Sequence, residues 1–516
     1  MALPVFAFFL PFLCSGWAIL ERRRLLLSKY DLVIIGSGPG GYVTAIRAAQ
    51  WGLKTLVVEK DGFLGGTCLH VGCIPTKVLL HHAEIYDTFK NAREFGIEVS
   101  GLKVDWNAVL ARKDKIVNKH AKGIEYLFRK HKIETMRGWG RWAGAGRVAV
   151  EADGHTTEVE SEHIMFATGS EARSLPGVEF DGSVVVGNRD ILKVPRIPKT
   201  VVIVGAGAVG VEFASIFRSF GSEVTLLEAL PRIVPLEDEE ISPELEKAFR
   251  KRGIQIFTEA RVESVQVEAS TQAGVEAGVE ASVEASVDAR EVGARMATTV
   301  FRDKTGAAQT LRSEHVLIAV GRSPKTDNLG LEKSRVKLER GFVHTGPYME
   351  TAEPGVYAIG DIVAGMPQLA HAASMEGIIA VGKITGKQVP VLERTRIPNA
   401  TYCEPQIGSI GLTERQAREA GHAVKVGKFP FAANSKASIL NHHEGFVKVV
   451  AEEKYGEVLG VHIIGPLATE ILAEPVAAMQ LEATIDDMLF TVHAHPTLWE
   501  AMGDAFASVQ GLAINA

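Results

Sequence analysis

The sequence predicts an α/β protein in which one strand–turn–helix–strand module occurs twice and a separate α+β domain follows. Three observations predict this. Short β-branched runs alternate with glycine turns and helical stretches from Asp31 onward. Two of these units share one spacing, with Gly36 and Gly205 each standing 23 residues before a glutamate, Glu59 and Glu228. From about Glu393 the chain mixes strands and helices with no third copy of the unit.

Composition permits such a fold. The 516 residues are 46% hydrophobic and 23% charged, and 51 of them are glycine, a share above the usual ~7%. Net charge is 56 − 62 = −6, with a pI near 6.3. That balance lacks the basic footprint of a nucleic-acid binder. Four cysteines, Cys14, Cys68, Cys73 and Cys403, are too few for a secreted disulfide framework in so long a chain, and the body reads as cytoplasmic. No metal-ligand spacing is present and no metal is expected.

Residues 1–27 are read as an apolar leader or anchor. Ala2 to Leu20 carry no charge, enough apolar length to span a bilayer, but Pro4, Pro11 and Gly16 weaken the stretch as a helix. Arg22, Arg23 and Arg24 follow the apolar run instead of preceding it, unlike a signal peptide, and would hold the body in the cytoplasm if the segment inserted. A membrane anchor, a targeting leader and a wrongly chosen start codon all fit.

The first module reads as strand 31–35, helix 42–51 and strand 53–59 around Gly36-Ser-Gly38-Pro-Gly40-Gly41. A side chain in such a turn would keep a pyrophosphate from the helix N-terminus, and Glu59 at the end of the second strand is placed for ribose hydroxyls. The second module reads as strand 201–204, helix 211–220 and strand 223–228 around Gly205-Ala-Gly207-Ala-Val-Gly210. There Glu228 would repel a 2′-phosphate, which favours NAD over NADP. The acidic run 237–240 and the helix 241–252 with Gly253 behind it read as a capped surface helix. Residues 267–290 are of low complexity and fit helix and strand periods equally; a surface loop or hairpin without catalytic role is expected. Buried strands follow at 314–320, ending at Gly321-Arg322, and at 356–359, ending at Gly360-Asp361; Phe446 to Val450 is a strand of the last domain.

The chemistry centres on Gly65-Gly66-Thr67-Cys68-Leu-His-Val-Gly-Cys73-Ile-Pro75-Thr-Lys77. In a regular helix residues five apart have Cα atoms roughly 8–9 Å apart, whereas a disulfide needs about 4.4–6.8 Å. The backbone between Cys68 and Cys73 must therefore bend, and Gly72 makes the bend cheaper. Pro75 suits a first helical turn, so Cys73 is expected at a helix N-terminus, where a thiolate is stabilised. Far along the chain, His493-Ala-His495-Pro496-Thr-Leu-Trp-Glu500 places a carboxylate near an imidazole, with Pro496 marking the helix start. Spacing alone leaves His495 either a structural histidine or a base.

Taken together these residues closely resemble the dihydrolipoamide dehydrogenases of the pyridine nucleotide–disulfide oxidoreductase family. The likeness runs from about Tyr30 to Val509 and includes Gln368-Leu-Ala-His371. It implies two Rossmann-like (three-layer ββα) dinucleotide-binding domains plus a C-terminal α+β dimerisation domain. The expected division is 28–172 for FAD, 173–312 for NAD, 313–390 as a central domain completing the FAD site, and 391–516 as the interface domain. The resemblance implies a homodimer that exchanges electrons with lipoyl domains of 2-oxoacid dehydrogenase complexes or of the glycine cleavage system. Cys68 would meet dihydrolipoamide and Cys73 would lie against the flavin. His495, oriented by Glu500, would serve as base from the partner subunit; His493 is left as structural. Gly36, Gly38, Gly41, Glu59, Thr67, Lys77, Thr168, Gly169, Ser170, Asp361, Gln368, Leu369, Ala370 and His371 would bind FAD, with Lys77 beside its reactive edge. Gly205, Gly207, Gly210, Glu212, Glu228, Val262 and Gly321 would bind NAD.

Two residues depart from the pattern. His70 replaces the usual asparagine between the cysteines, either raising thiolate character or filling space. Trp499 replaces a small polar residue, and its bulk is expected to narrow the lipoamide entrance. Close relatives fit less well. A glutathione reductase would prefer NADP, a mercuric reductase would carry a C-terminal cysteine pair, and a soluble transhydrogenase would lack the disulfide. The apolar segment Ala2–Leu20 also admits a membrane-associated NADH:acceptor reductase. An inactive flavoprotein serving as a binding subunit of a 2-oxoacid complex is disfavoured by the complete set of Cys68, Cys73, His495 and Glu500.

Overall fold

Alternating and continuous apolar runs divide the strands between two kinds of sheet, as the strand His155–Phe166 illustrates. Its first half buries every second residue (Thr157, Val159, Ser161) and turns Glu158 and Glu160 outward, the signature of a one-sided antiparallel ribbon. Its last three residues, Ile164, Met165 and Phe166, are all buried, as in a parallel sheet covered on both faces. The computed structural model describes residues 29–268 and 295–515. They form two compact units: the described residues up to His70 with Asn118–Glu171 and Pro324–Leu392, and Val71–Val117 with Ala172–Ser323 and the described residues from Glu393 on.

In the first unit the parallel strands run Glu134–Arg137, Thr55–Glu59, Lys29–Ile35, His155–Phe166 and Val356–Ala358. The same long strand also carries the antiparallel ribbon Trp139–Gly144 and Arg147–Ala152. Helices Pro39–Gln50 and Ala370–Ile384 pack closely; a Cβ on Gly377 would stand 1.6 Å from Thr44 Oγ1.

The second unit repeats the plan. Parallel strands Gln255–Phe257, Glu223–Leu227, Thr200–Val204, His315–Ile318 and Val185–Val186 form the sheet, and Arg261–Glu268, Met296–Arg302 and Ala308–Ser313 form the ribbon. Phe213, Phe217 and Phe249 are fully buried in its core. The same unit holds an antiparallel sheet in the order Asn399–Thr401, Gln406–Gly411, Val458–Gly465, Phe446–Glu452, Val424–Pro430. Helix Glu500–Val509 lies on its last strand, so close that a Cβ on Gly427 would meet Ala505 O at 2.3 Å. The predicted leader and the low-complexity stretch beyond Glu268 lie outside the described residues. Among the described residues no helix is long and apolar enough to cross a membrane.

Three expectations need correction. The two module helices are Pro39–Gln50 and Ala208–Ser219, so each begins three residues earlier than predicted and has the middle glycine of its motif, Gly38 or Gly207, as N-cap. Apolar periodicity could not show this, because the three residues missed are Pro39, Gly40 and Gly41 in one helix and Ala208, Val209 and Gly210 in the other, which hold a single large apolar side chain between them. The acidic run before Ile241–Lys251 is only half a solvated cap: Glu239 and Glu240 are open to solvent, but Glu237 and Asp238 are buried. And the last helix starts at Glu500, not Pro496, which instead follows a cis peptide after His495.

Candidate functional site

In both modules the first and last glycines are required by the protein itself. Gly36 has φ +104°, and a Cβ there would stand 2.3 Å from Ala167 O; one on Gly41 would stand 2.0 Å from Gly36 O. The second module repeats both conflicts, with 2.4 Å from Gly205 to Ala319 O and 1.9 Å from Gly210 to Gly205 O. The middle glycines differ: a Cβ on Gly38 or Gly207 would meet nothing within 4 Å. Open space at a helix N-cap, facing N–H groups without helical acceptors, fits a dinucleotide pyrophosphate in each unit.

Each module glutamate is held by its own loop. Glu59 Oε2 accepts hydrogen bonds from the Ser37 N–H (2.9 Å) and hydroxyl (2.6 Å), and Oε1 accepts from the Asp61 N–H (2.9 Å). Glu228 accepts from the Ala206 N–H at 2.7 Å and the Leu230 N–H at 2.9 Å. Both carboxylates are thereby fixed in orientation before any ribose arrives.

In the first unit the remaining flavin candidates gather from several segments. The Ser170 hydroxyl donates to the Asp361 carboxylate. Thr168 Oγ1 donates to Lys325 O (2.6 Å), and Gly169 O accepts from the Lys325 N–H (2.8 Å). Gln368 Nε2 donates to Asp361 O at 3.3 Å, while Leu369 caps the helix that begins with Ala370 and His371. Buried Glu376 accepts from the Gly360 N–H, which fixes the turn carrying Asp361; nothing in the sequence pattern points to it. The cysteine segment is stitched to the first glycine loop, since the Gly65 N–H donates to Ser37 O (3.0 Å) and Gly66 approaches Gly38. Thr67 and half-buried Cys68 follow in helix Gly66–Val71. His70 serves packing: its Nε2 donates to Leu64 O at 2.8 Å and its ring lies 3.9 Å from that of Phe63.

In the second unit Cys73 opens helix Cys73–Lys90 behind Gly72, whose φ −139° and ψ −117° supply the expected bend. One turn on, Lys77 Nζ donates to both oxygens of Glu212 at 2.7 and 2.8 Å. The Tyr402 N–H also donates to Glu212 (3.0 Å), and the Tyr402 ring lies under Lys77 Nζ at 4.6 Å. Burial alone would lower the Lys77 ammonium, but the Glu212 carboxylate, with smaller contributions from Cys73 and Tyr402, offsets it and the net shift is upward. Cys403 is fully buried, which pushes its thiol well up and leaves it inert.

A cavity of about 1040 Å³ opens over the second glycine loop. Gly205, Gly207, Glu228, Val262 and Gly321 line it; Gly210, spent on helix–strand packing, and Glu212, turned to Lys77, do not. Asn188, Arg261 and Arg302 line it too, though their positions in the sequence give no sign of this. His495 stands apart from this cavity, 73% exposed, with Nδ1 2.7 Å from Glu500 Oε1. Glu500 Oε2 accepts the Thr497 N–H, and that bond, then His495, holds its carboxyl below the usual range. His493 pairs with Glu474 at 2.7 Å. Trp499, expected at the lipoamide entrance, is partly buried against the core of the C-terminal domain.

Residues 30–377 match the family model for pyridine nucleotide-disulphide oxidoreductase, and residues 397–506 match the dimerisation domain of that family, which supports a homodimer. The chain is 40% identical over 499 residues to a dihydrolipoyl dehydrogenase of Bacillus subtilis, covering 95% of this chain and 100% of the relative. It is likewise 40% identical to dihydrolipoyl dehydrogenase 3 of Pseudomonas putida, with the same coverage. Among solved structures, LpdA of Mycobacterium tuberculosis matches with a TM-score of 0.80 at 25% identity, over 93% of this chain and 99% of that one. The flavoprotein disulfide reductase RclA of Escherichia coli, solved as a Cu(II) complex, matches with a TM-score of 0.78 at 25% identity, over 93% and 99%.

Proposed function

Because the chain belongs to the pyridine nucleotide-disulphide oxidoreductase family, an FAD- and NAD-using family, we propose that it oxidises dihydrolipoamide to lipoamide with NAD through the Cys68–Cys73 pair. The observation that carries the reading is the His495–Glu500 pair, an exposed imidazole already oriented by its own carboxylate. Such a base serves a substrate arriving from solvent, and in a homodimer it would serve the thiols of the partner subunit.

Glu500 accepts the Nδ1 proton of His495, so Nε2 is the free acceptor that takes a proton from one thiol of dihydrolipoamide. The resulting thiolate attacks Cys68 of the oxidised pair; the Cys68–Cys73 bond breaks and Cys73 leaves as a thiolate, stabilised at its helix N-terminus. The second substrate thiol then displaces Cys68, closing the lipoamide disulfide and leaving both cysteines reduced. Bound FAD supplies the route by which the electron pair passes on to NAD. Lys77 and Glu212 hold a fixed charge pair one turn from Cys73.

We assign 28–172 to FAD, 173–312 to NAD, 313–390 to completing the FAD site and 391–516 to the dimer interface. Lipoyl domains of 2-oxoacid dehydrogenase complexes or of the glycine cleavage system are the partners, and the sparse cysteines support a cytoplasmic setting. The holoenzyme should form NADH from dihydrolipoamide and NAD and lose that turnover in Cys68→Ser. Rapid NADPH-driven reduction of glutathione without lipoamide turnover would overturn the reading.

A further inference from the structure

Val71, between the two cysteines, is the last residue of helix Gly66–Val71, and the last carbonyls of a helix lack intrahelical partners. Four residues on, where a continuing helix would place the donor for the Val71 carbonyl, stands Pro75, which has no N–H. The donor comes instead from Asn188, whose Nδ2 reaches Val71 O at 2.5 Å. Asn188 is held firmly: it opens the helix Asn188–Ile191, whose preceding Gly187 N–H is bonded to Asp190 Oδ2 at 3.0 Å. The same Asn188 lines the 1040 Å³ cavity with Gly205, Gly207 and Glu228. With one amide proton committed to Val71, it keeps a second proton and its carbonyl oxygen.

We propose that Asn188 is a positioning residue that links occupancy of the nucleotide cavity to the placement, and hence the reactivity, of the Cys73 thiolate. The path is short. A nucleotide that engages or displaces the Asn188 amide changes its bond to Val71, and Val71 is joined through Gly72 alone to Cys73. The inference rests on reading the cavity as the NAD site.

The test uses the FAD-loaded enzyme and 3-aminopyridine adenine dinucleotide, an NAD analogue that accepts no hydride. Reduced enzyme is pulsed with iodoacetamide, and alkylation of Cys73 is followed by peptide mass spectrometry with and without the analogue. In the parent chain the analogue should change the Cys73 rate by about fivefold, the low end of couplings between sites. As a second, equilibrium readout, the ratio of its affinities for oxidised and reduced enzyme should depart from one, because linkage ties that ratio to the shift the analogue makes in the disulfide equilibrium. Asn188→Asp keeps the size of the side chain but has no proton to donate, and should bring both ratios to about one while FAD content is unchanged. Asn188→Ser, too short to span to Val71, should do the same and serves if the aspartate variant fails to retain FAD. An undiminished ratio in either FAD-loaded variant, or none in the parent chain despite bound analogue, overturns the inference. Failure of the analogue to bind at all overturns the cavity assignment first, and the inference with it.

Discussion

Alanine at Gly207 and alanine at Gly210 should have opposite consequences, although the two glycines belong to one motif. At Gly207 the backbone has φ −74° and ψ −175°, which any residue adopts, and the added methyl meets nothing within 4 Å. Removing glycine from the unfolded chain stabilises by about 0.4–1 kcal/mol where the backbone is compatible. Alanine is a poorer N-cap than glycine by a similar amount. The two offset, and the Tm of the FAD-loaded protein should stay within a few degrees. The methyl does, however, occupy the approach to the N–H groups of helix Ala208–Ser219. Losing one charge-assisted hydrogen bond to a pyrophosphate costs about 1.5–3 kcal/mol, so the Kd for NAD should rise roughly 10- to 150-fold. At Gly210 the new Cβ would lie 1.9 Å from Gly205 O, 1.1 Å inside the 3.0 Å that real contacts respect. That oxygen is backbone at the end of a central strand and cannot swing aside. Overpacking of this kind costs about 1–3 kcal/mol or more, which lowers Tm by roughly 2–12 °C. Calorimetry gives Tm, and quenching of flavin fluorescence on titration with NAD gives Kd. If Gly207→Ala unfolds as early as Gly210→Ala while binding NAD normally, the division of the motif into protein-required and ligand-required glycines is wrong.

Two further outcomes are expected. His495→Gln should keep FAD and dimerisation yet cut dihydrolipoamide turnover by about 10²–10⁴, the usual worth of a general base, and Glu500→Gln should lower it less; stopped-flow reduction of the flavin checks both. Lys448 is buried among Asp238 (2.9 Å), Glu240 (2.7 Å) and Glu414 (3.0 Å). Burial pushes the Asp238 and Glu240 carboxyls up, but Lys448 holds both below their usual range, together with His462 and the Glu240 N–H at Asp238 and with Lys428 at Glu240. At Glu414 the Lys448 hydrogen bond is the leading cause of the downward shift. Lys448→Met should therefore cost about 3–5 kcal/mol at neutral pH by stranding buried Asp238, whereas Glu240 keeps Lys428 and Glu414 keeps Arg418. Stability from depressed carboxyls is present above their unfolded values and lost as pH falls through the folded ones, so the gap to the parent chain should narrow below about pH 4 in urea titrations.

Local chemistry is legible in the sequence where one segment determines it. The glycine spacing, the bend at Gly72, the helix N-terminus at Cys73 and the pairing of His495 with Glu500 each involve residues within one turn or loop. What the sequence hides is set by partners distant along the chain. Glu212 reads as an NAD ligand, but Lys77, 135 residues away, claims both its oxygens. The acidic run 237–240 reads as helix capping because Lys448, its counter-charge, lies on a strand 210 residues beyond Asp238. For Trp499 the sequence gives no sign of the apolar cluster that the fold packs it against. The helix starts are hidden for a different reason: apolar periodicity cannot begin until side chains large enough to carry it appear, and the first turn of a phosphate loop is made of small residues.

The two modules also show why a glycine motif followed by an acid carries more information than a string of residue types. The outer glycines answer to backbone oxygens of their own unit, at 2.3 and 2.0 Å in one and 2.4 and 1.9 Å in the other. The acid answers in part to its own loop as well, because Glu59 holds the Ser37 N–H and Glu228 the Ala206 N–H, each the residue directly after the first glycine. The carboxylate therefore braces the turn that brings the helix N-terminus to bear, and under the proposed function its remaining lone pairs would serve a ribose. Replacing Glu228 to admit a 2′-phosphate would remove the repulsion and the brace together. A change of nucleotide preference at this position thus requires a second acceptor for the Ala206 N–H, without which the affinity gained for NADP is lost in a loosened loop.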